Sequence, residues 1–148
     1  MILVSASPFD PGALLAAFAA DHPHAGAAVT FTGMVRSSPD RPINALILEC
    51  YPELAENEIA TLRGRAIERF GLIDAAILHR YGRLVPGEAI MQVMTLAAHR
   101  QAAFDGAQFL MDYLKTDAPF WKQEETASGT QWVEANTADD AARDRWAK

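Results

Sequence analysis

Lysine is scarce in this chain: Lys115, Lys122 and the terminal Lys148 are the only three, and every other fixed positive side chain is arginine. Two of them bracket the apolar turn in YLKTDAPFWKQE, Tyr113 to Glu124. Two ammonium groups brought together and shielded by aromatic rings lower each other's pKa, because each disfavours the other's charge. The free amine that results near neutral pH can act as a nucleophile or carry protons. Spacing alone favours a plainer alternative, a helix-capping lysine followed by a solvated strand lysine, since perturbed lysines are a minority.

A second cluster lies in AAHRQAAF, where His99 and Arg100 stand at the entry to a helix. Free backbone N–H groups beside a guanidinium suit a phosphate or carboxylate. A connector with exposed polar residues explains the same letters equally well. Arg36, ending TFTGMVR, is either a third member of this cluster from a neighbouring strand or an ordinary strand-end arginine. The remaining candidates are weak. His22 and His24 have a metal-like spacing but no second ligand pair, so no metal is expected. Cys50 lies in an apolar strand without an activating neighbour. Asp139, Asp140, Arg143, Asp144 and Arg145 read as a solvated helix face or a frayed end.

These residues need elements to hold them. MILVS reads as a short strand, and Pro11 behind Asp10 as the capped start of a helix. AAVTFTGMV and INALILECYP are β-rich, and are expected to pair as a hairpin across RSSPDRP. Helical spacing runs from Leu54 to Phe70, with Leu54, Glu58, Leu62 and Arg65 on one stripe, Ile59, Ala66 and Ile67 filling the apolar side, and Gly71 as its stop. LIDAAILHRYG and EAIMQVMTLAAH are strands joined through Pro86-Gly87, which suits a type II turn. A further helix is expected from about Arg100 to Thr116. It buries Ala103, Phe104, Ala107, Leu110, Met111 and Leu114, and turns Asp105, Asp112 and Lys115 outward. Pro119 ends it, and a hairpin around Ser128-Gly129 follows.

Strands and helices do not alternate regularly, so an α+β fold is expected, with a mostly antiparallel sheet and helices packed on it. The 148 residues read as a single domain, half hydrophobic and 22% charged. A formal net charge of −6 argues against nucleic-acid binding, so an anionic ligand must be met by a local cluster. One cysteine, no leader-like N-terminus and no long apolar run lead to the expectation of a soluble cytoplasmic protein without a membrane anchor.

GAAVTFTGMVR, NALILECYPE, HRYGRLVPGE, AHRQAAFDGAQFLMDYLKTDAPFWKQE and WVEA together resemble the large, catalytic subunit of molybdopterin synthase, in consistent order over residues 26–135. The resemblance implies an α+β fold with a hammerhead-like β motif, and a dimer of this subunit within a heterotetramer. It implies a sulfurtransferase without a bound cofactor. Its partner would be a small ubiquitin-like sulfur carrier whose C-terminal Gly-Gly ends in a thiocarboxylate, and its substrate cyclic pyranopterin monophosphate. By the same resemblance Lys115 and Lys122 are the catalytic pair, while Arg36, His99, Arg100, Phe31 and Met111 bind substrate. Some relatives place a basic residue of the second subunit just after WVEA, where this chain has Asn136. A Schiff-base lyase acting on a phosphorylated carbonyl compound would use the same lysines and arginines, whereas a non-enzymatic module that only docks a ubiquitin-like tail would keep its function without Lys115 and Lys122.

Overall fold

A computed structural model describes residues 1–133 and 137–147. In chain order the elements are β1 (Ile2–Ser5), α1 (Pro11–Ala20), β2 (Ala27–Met34), β3 (Ala45–Glu49), α2 (Pro52–Phe70), β4 (Asp74–Arg80), β5 (Gly82–Leu84), β6 (Ala89–Ala97), α3 (Arg100–Leu114), β7 (Trp121–Thr126), β8 (Gly129–Trp132) and α4 (Thr137–Asp144), followed by a 3-10 turn at Arg145–Ala147. The fold is α+β, with strands in two sheets ordered β1-β4-β6-β2 and β5-β3-β7-β8. All pairings are antiparallel except β1 with β4.

The first sheet is the middle of a sandwich. Along β4 and β6 side chains alternate between faces with period 2. Ala75, Ile77, Met91 and Val93 pack under α2 and α3, and Ala76, Leu78 and Met94 under Phe9, Leu14, Leu15 and Phe18 of α1 and its approach. Both faces are covered, which is why these strands read as nearly continuous apolar runs. Asp10 caps α1 by accepting from the N–H groups of Gly12 and Ala13 at 3.0 and 3.2 Å. Gly71 closes α2 in the left-handed conformation, φ 64°. Gly87 supplies the φ of 92° that the turn after Pro86 requires, with Glu88 N–H donating to Val85 O at 3.1 Å.

Four expectations are corrected. The β2–β3 hairpin does not form: β2 pairs with β6, and β3 with β5 and β7 in the other sheet. The buried strand β6 needs partners on both edges, and the segment between β2 and β3 is far longer than the two to five residues of a tight hairpin. Val35 instead bonds to the turn beyond β5, through Glu88 O and Gly87 N–H, both at 2.9 Å. In α2 the buried stripe is Ala55, Ile59, Leu62 and Ala66, one step round from the expected one, whose Leu54 is 46% exposed and whose Glu58 and Arg65 are exposed as well. In α3 Phe104 is exposed, whereas Asp112 is buried and accepts from Gln108, Arg145 and Trp146. The charged C-terminal run is therefore docked on α3, its Trp146 ring set edge-on against Phe70 and Phe109 at 5.5 and 5.7 Å.

Candidate active site

The two lysines meet because α3 and β7 are held by different partners on either side of a short, tightly bonded connection. Lys115 is the C-cap of α3, its N–H donating to Met111 O at 3.0 Å. The chain then tightens, with Asp117 N–H donating to Tyr113 O at 2.7 Å and Phe120 N–H to Ala118 O at 2.8 Å. Pro119 keeps the helix from continuing. β7 leaves along β3, where Lys122 lies opposite Leu48. Both side chains line one cleft of about 810 Å³, a size that suits a small ligand.

The walls of the cleft come from both sheets, α3, α4 and the segments between them. The end of β2 supplies Phe31, Thr32 and Met34, and the segment after it supplies Arg36 and Arg41. α3 adds Met111 and Lys115; β7 and the residue before it add Phe120, Trp121 and Lys122. Trp132 follows from β8, His79 from the end of β4, and Asp139 from α4. Phe31, Met34, Trp121 and Trp132 are large apolar groups left between 43% and 59% exposed, so the mouth offers apolar surface around a cationic interior.

Electrostatics distinguish the two amines. Burial lowers the pKa of Lys122, the neighbouring Lys115 lowers it further, and Asp139 opposes both. Lys115 is exposed at the helix end. Arg41 is tied to Glu124, Nε to Oε2, at 3.0 Å. Arg36 is exposed on the cleft wall, so within a chain of net charge −6 the cleft gathers an excess of positive charge.

The predicted site residues fall into two groups. Phe31, Arg36, Met111, Lys115 and Lys122 line the cleft together. His99 and Arg100 do not. They stand, exposed, at the opposite end of α3, whose 15 residues span about 22 Å. Arg36 therefore does not join them, and the register gives the reason: Ala27 pairs with Ala97 while Met34 pairs with Ala89, so antiparallel β2 carries its end away from His99. Asn136 lies outside the described residues.

Three titratable cleft residues escaped the sequence. Asp139 was hidden in a mixed-charge run, and Arg41 in a loop. His79 was hidden in the apolar run of β4; its signal was a titratable ring inside an otherwise buried strand. The ring is 7% exposed and lies flat on Phe120, centroids 3.7 Å apart and planes at 16°. Burial, and then Lys122 and Lys115, push its pKa down to about 4, against the raising effect of its bond to Arg80 O. His22, read as a weak metal ligand, instead pairs with Asp74 at 3.4 Å. Among the described residues no group of three or more His, Cys, Asp or Glu is placed to hold a metal, and no helix is long and apolar enough to cross a membrane.

The chain is matched by the model of the MoaE protein family over residues 4–117. It is 52% identical to the molybdopterin synthase catalytic subunit of Cereibacter sphaeroides over 145 residues, covering 98% of this chain and 99% of that one. It is 49% identical to the subunit of the same name from Rhizobium meliloti over 149 residues, covering 99% and 96%. The solved structure of a molybdopterin biosynthesis MoaE protein from Burkholderia ambifaria resembles it with a TM-score of 0.85 at 44% identity, over 100% of this chain and 98% of that one. With its helices, two sheets and lysine-lined cleft, the chain belongs to the MoaE family, that of the catalytic subunit of molybdopterin synthase in molybdenum cofactor biosynthesis.

Proposed function

We propose that the cleft transfers two sulfurs, one after the other, from the C-terminal thiocarboxylate of a small ubiquitin-like carrier to cyclic pyranopterin monophosphate, forming the dithiolene of molybdopterin. The observation that carries this is the convergence of Lys115 and Lys122 with Arg36 in one cleft, with burial and Lys115 lowering the pKa of Lys122. In each transfer the carrier's sulfur bonds to a substrate carbon, water adds to the carrier's carbonyl carbon, and the carrier's C–S bond breaks to leave a carboxylate. The negative charge that develops on the carbonyl oxygen is met by ammonium groups already in place. A lysine of lowered pKa also exchanges protons readily as water and phosphate leave the substrate. Lys115 is assigned to the thiocarboxylate carbon and Arg36 to the phosphate.

The apolar mouth of Phe31, Met34, Trp121 and Trp132 suits an extended Gly-Gly tail, whose lack of side chains lets the backbone enter closely. His99 and Arg100 serve a cleft only if a second copy presents them, since their own is about 22 Å away. A second copy would present them in a dimer of catalytic subunits, each with one carrier, and this reading places the assembly in the cytoplasm. The test is reconstitution: purified chain, thiocarboxylated carrier and cyclic pyranopterin monophosphate, without added metal, are expected to yield molybdopterin. No product with a competent carrier would overturn the assignment. Trapping by borohydride of a lysine adduct with a small sugar phosphate would point to Schiff-base chemistry instead.

A further inference from the structure

As cations, the groups that hold a ligand's anionic end in the cleft, Arg36, Lys115 and Lys122, only donate hydrogen bonds. His79 differs. It sits near the end of β4 opposite Met91 of β6, more than nine-tenths buried, with its ring on the cleft wall. Nδ1 lies 2.8 Å from the carbonyl oxygen of Arg80. A carbonyl can only accept, so Nδ1 carries the proton and Nε2 a lone pair. Among the described residues Nε2 has no hydrogen-bond partner, and it is not one of the sealed, unpartnered side-chain atoms, which are Arg80 Nε and Gln92 Oε1. The lone pair therefore opens on the cleft. The stacked Phe120 ring fixes its direction.

The charged groups around the ring keep it an acceptor. Lys122 on β7 and Lys115 at the end of α3 both disfavour a proton there. Arg80, next in β4, turns its guanidinium to Glu88 Oε2 and Ala6 O, at 2.7 and 3.1 Å.

We propose that His79 is a specificity-determining residue of the cleft, its Nε2 accepting a hydrogen bond from an N–H or O–H group of a heterocyclic ligand whose anionic end is held by Arg36 and the lysines. The proposal rests on the reading of the cleft as the site of a phosphorylated pterin, which carries ring N–H donors and a phosphate in one small molecule, and deepens it. A site that offers a buried acceptor rejects an analogue lacking the matching donor far more strongly than an apolar wall does.

The experiment compares calorimetric binding of cyclic pyranopterin monophosphate and of inorganic phosphate to the wild-type chain, His79→Asn and His79→Gln. Asparagine retains a donor for Arg80 O but withdraws the acceptor from the cleft; glutamine places an amide oxygen near the position of Nε2. His79→Asn is expected to weaken pterin binding about tenfold or more and leave phosphate binding unchanged, with KM raised more than kcat is lowered. His79→Gln is expected to restore most of the loss. Unchanged pterin affinity in His79→Asn overturns the proposal. Equal loss of both ligands in both variants also overturns it, showing that the ring acts only by packing on Phe120. If the variants fold poorly, the ¹⁵N resonance of Nε2 in the wild-type protein decides. It should move on adding the pterin but not on adding phosphate, and no movement at pterin saturation overturns the proposal. A wild-type chain that binds phosphate but not the pterin overturns the functional reading itself, an outcome distinct from failure at His79.

Discussion

Trp146 Nε1 donates to Asp112 Oδ2 at 2.6 Å, and Arg145 Nη2 reaches the same oxygen at 2.7 Å. A buried carboxylate on α3 thus pins the last turn of the described chain, and α4 before it brings Asp139 to the cleft. Trp146→Phe keeps a ring against Phe70 and Phe109 but removes the donor. It should lower stability by about 1–2 kcal/mol, read as a shifted urea midpoint at unchanged slope.

Lys122 is held where its charge is disfavoured by burial and by Lys115. Lys122→Met preserves length and apolar contact and removes that conflict, so the variant should be as stable as wild type or more so, by up to about 1–2 kcal/mol. Its turnover in the reconstituted assay should fall roughly 100-fold to 10,000-fold. Lys115→Ala should likewise abolish turnover while carrier binding, followed by calorimetry, is retained. A variant that loses folding along with activity would return the lysine to a structural role.

Stability should decline in mild acid because of His79. Its pKa is about 4 in the folded protein against about 6.5 unfolded. As pH falls below 6.5 the unfolded chain takes up this proton first, so the contribution is complete above about pH 6.5 and drains away toward pH 4. The loss should reach about 3 kcal/mol, measured as urea unfolding against pH. His79→Phe should flatten the curve between those limits; an unchanged slope would show that other groups set it.

Two glycines should respond oppositely to alanine. A Cβ on Gly26 would lie 2.1 Å from the carbonyl oxygen of Ala98, a backbone atom that cannot step aside. Gly26→Ala should therefore cost more than about 3 kcal/mol, or prevent folding. At Gly64, exposed within α2, nothing lies within 4 Å of the new methyl group. Gly64→Ala should stabilise by about 0.4–1 kcal/mol in thermal unfolding.

Local rules were enough for most elements: Asp10 and Pro11 at a helix start, Gly71 at a helix end, Gly87 in a turn, period-2 runs in β4 and β6. What local rules miss is which strand sits beside which. β2 and β3 are adjacent in sequence yet belong to different sheets, because the partners that satisfy β6 and β7 lie far along the chain. The same limit governs the cleft. Lys115 and Lys122 stood out through their rarity and their closeness in sequence. His79 reaches them only through pairing with β6 and stacking on Phe120, and His99 and Arg100 are separated from them by the straight length of α3. Phe104 and Leu54 were misplaced because helical spacing defines a stripe but not its rotation against the sheet.

The connection between α3 and β7 has a consequence for what variation the molecule can tolerate. Surface connections ordinarily accept inserted residues. Here Thr116, Ala118 and Phe120 line the cleft, and the amines at either end are spaced by the connection's own length. One added residue would flip the side-chain alternation of β7 and carry Lys122 to the opposite face. The exposed Ala127-Ser128 tip of the next hairpin carries no such duty. A tag or loop graft belongs there, a few residues downstream of a stretch whose length acts as a gauge for the distance between two amines.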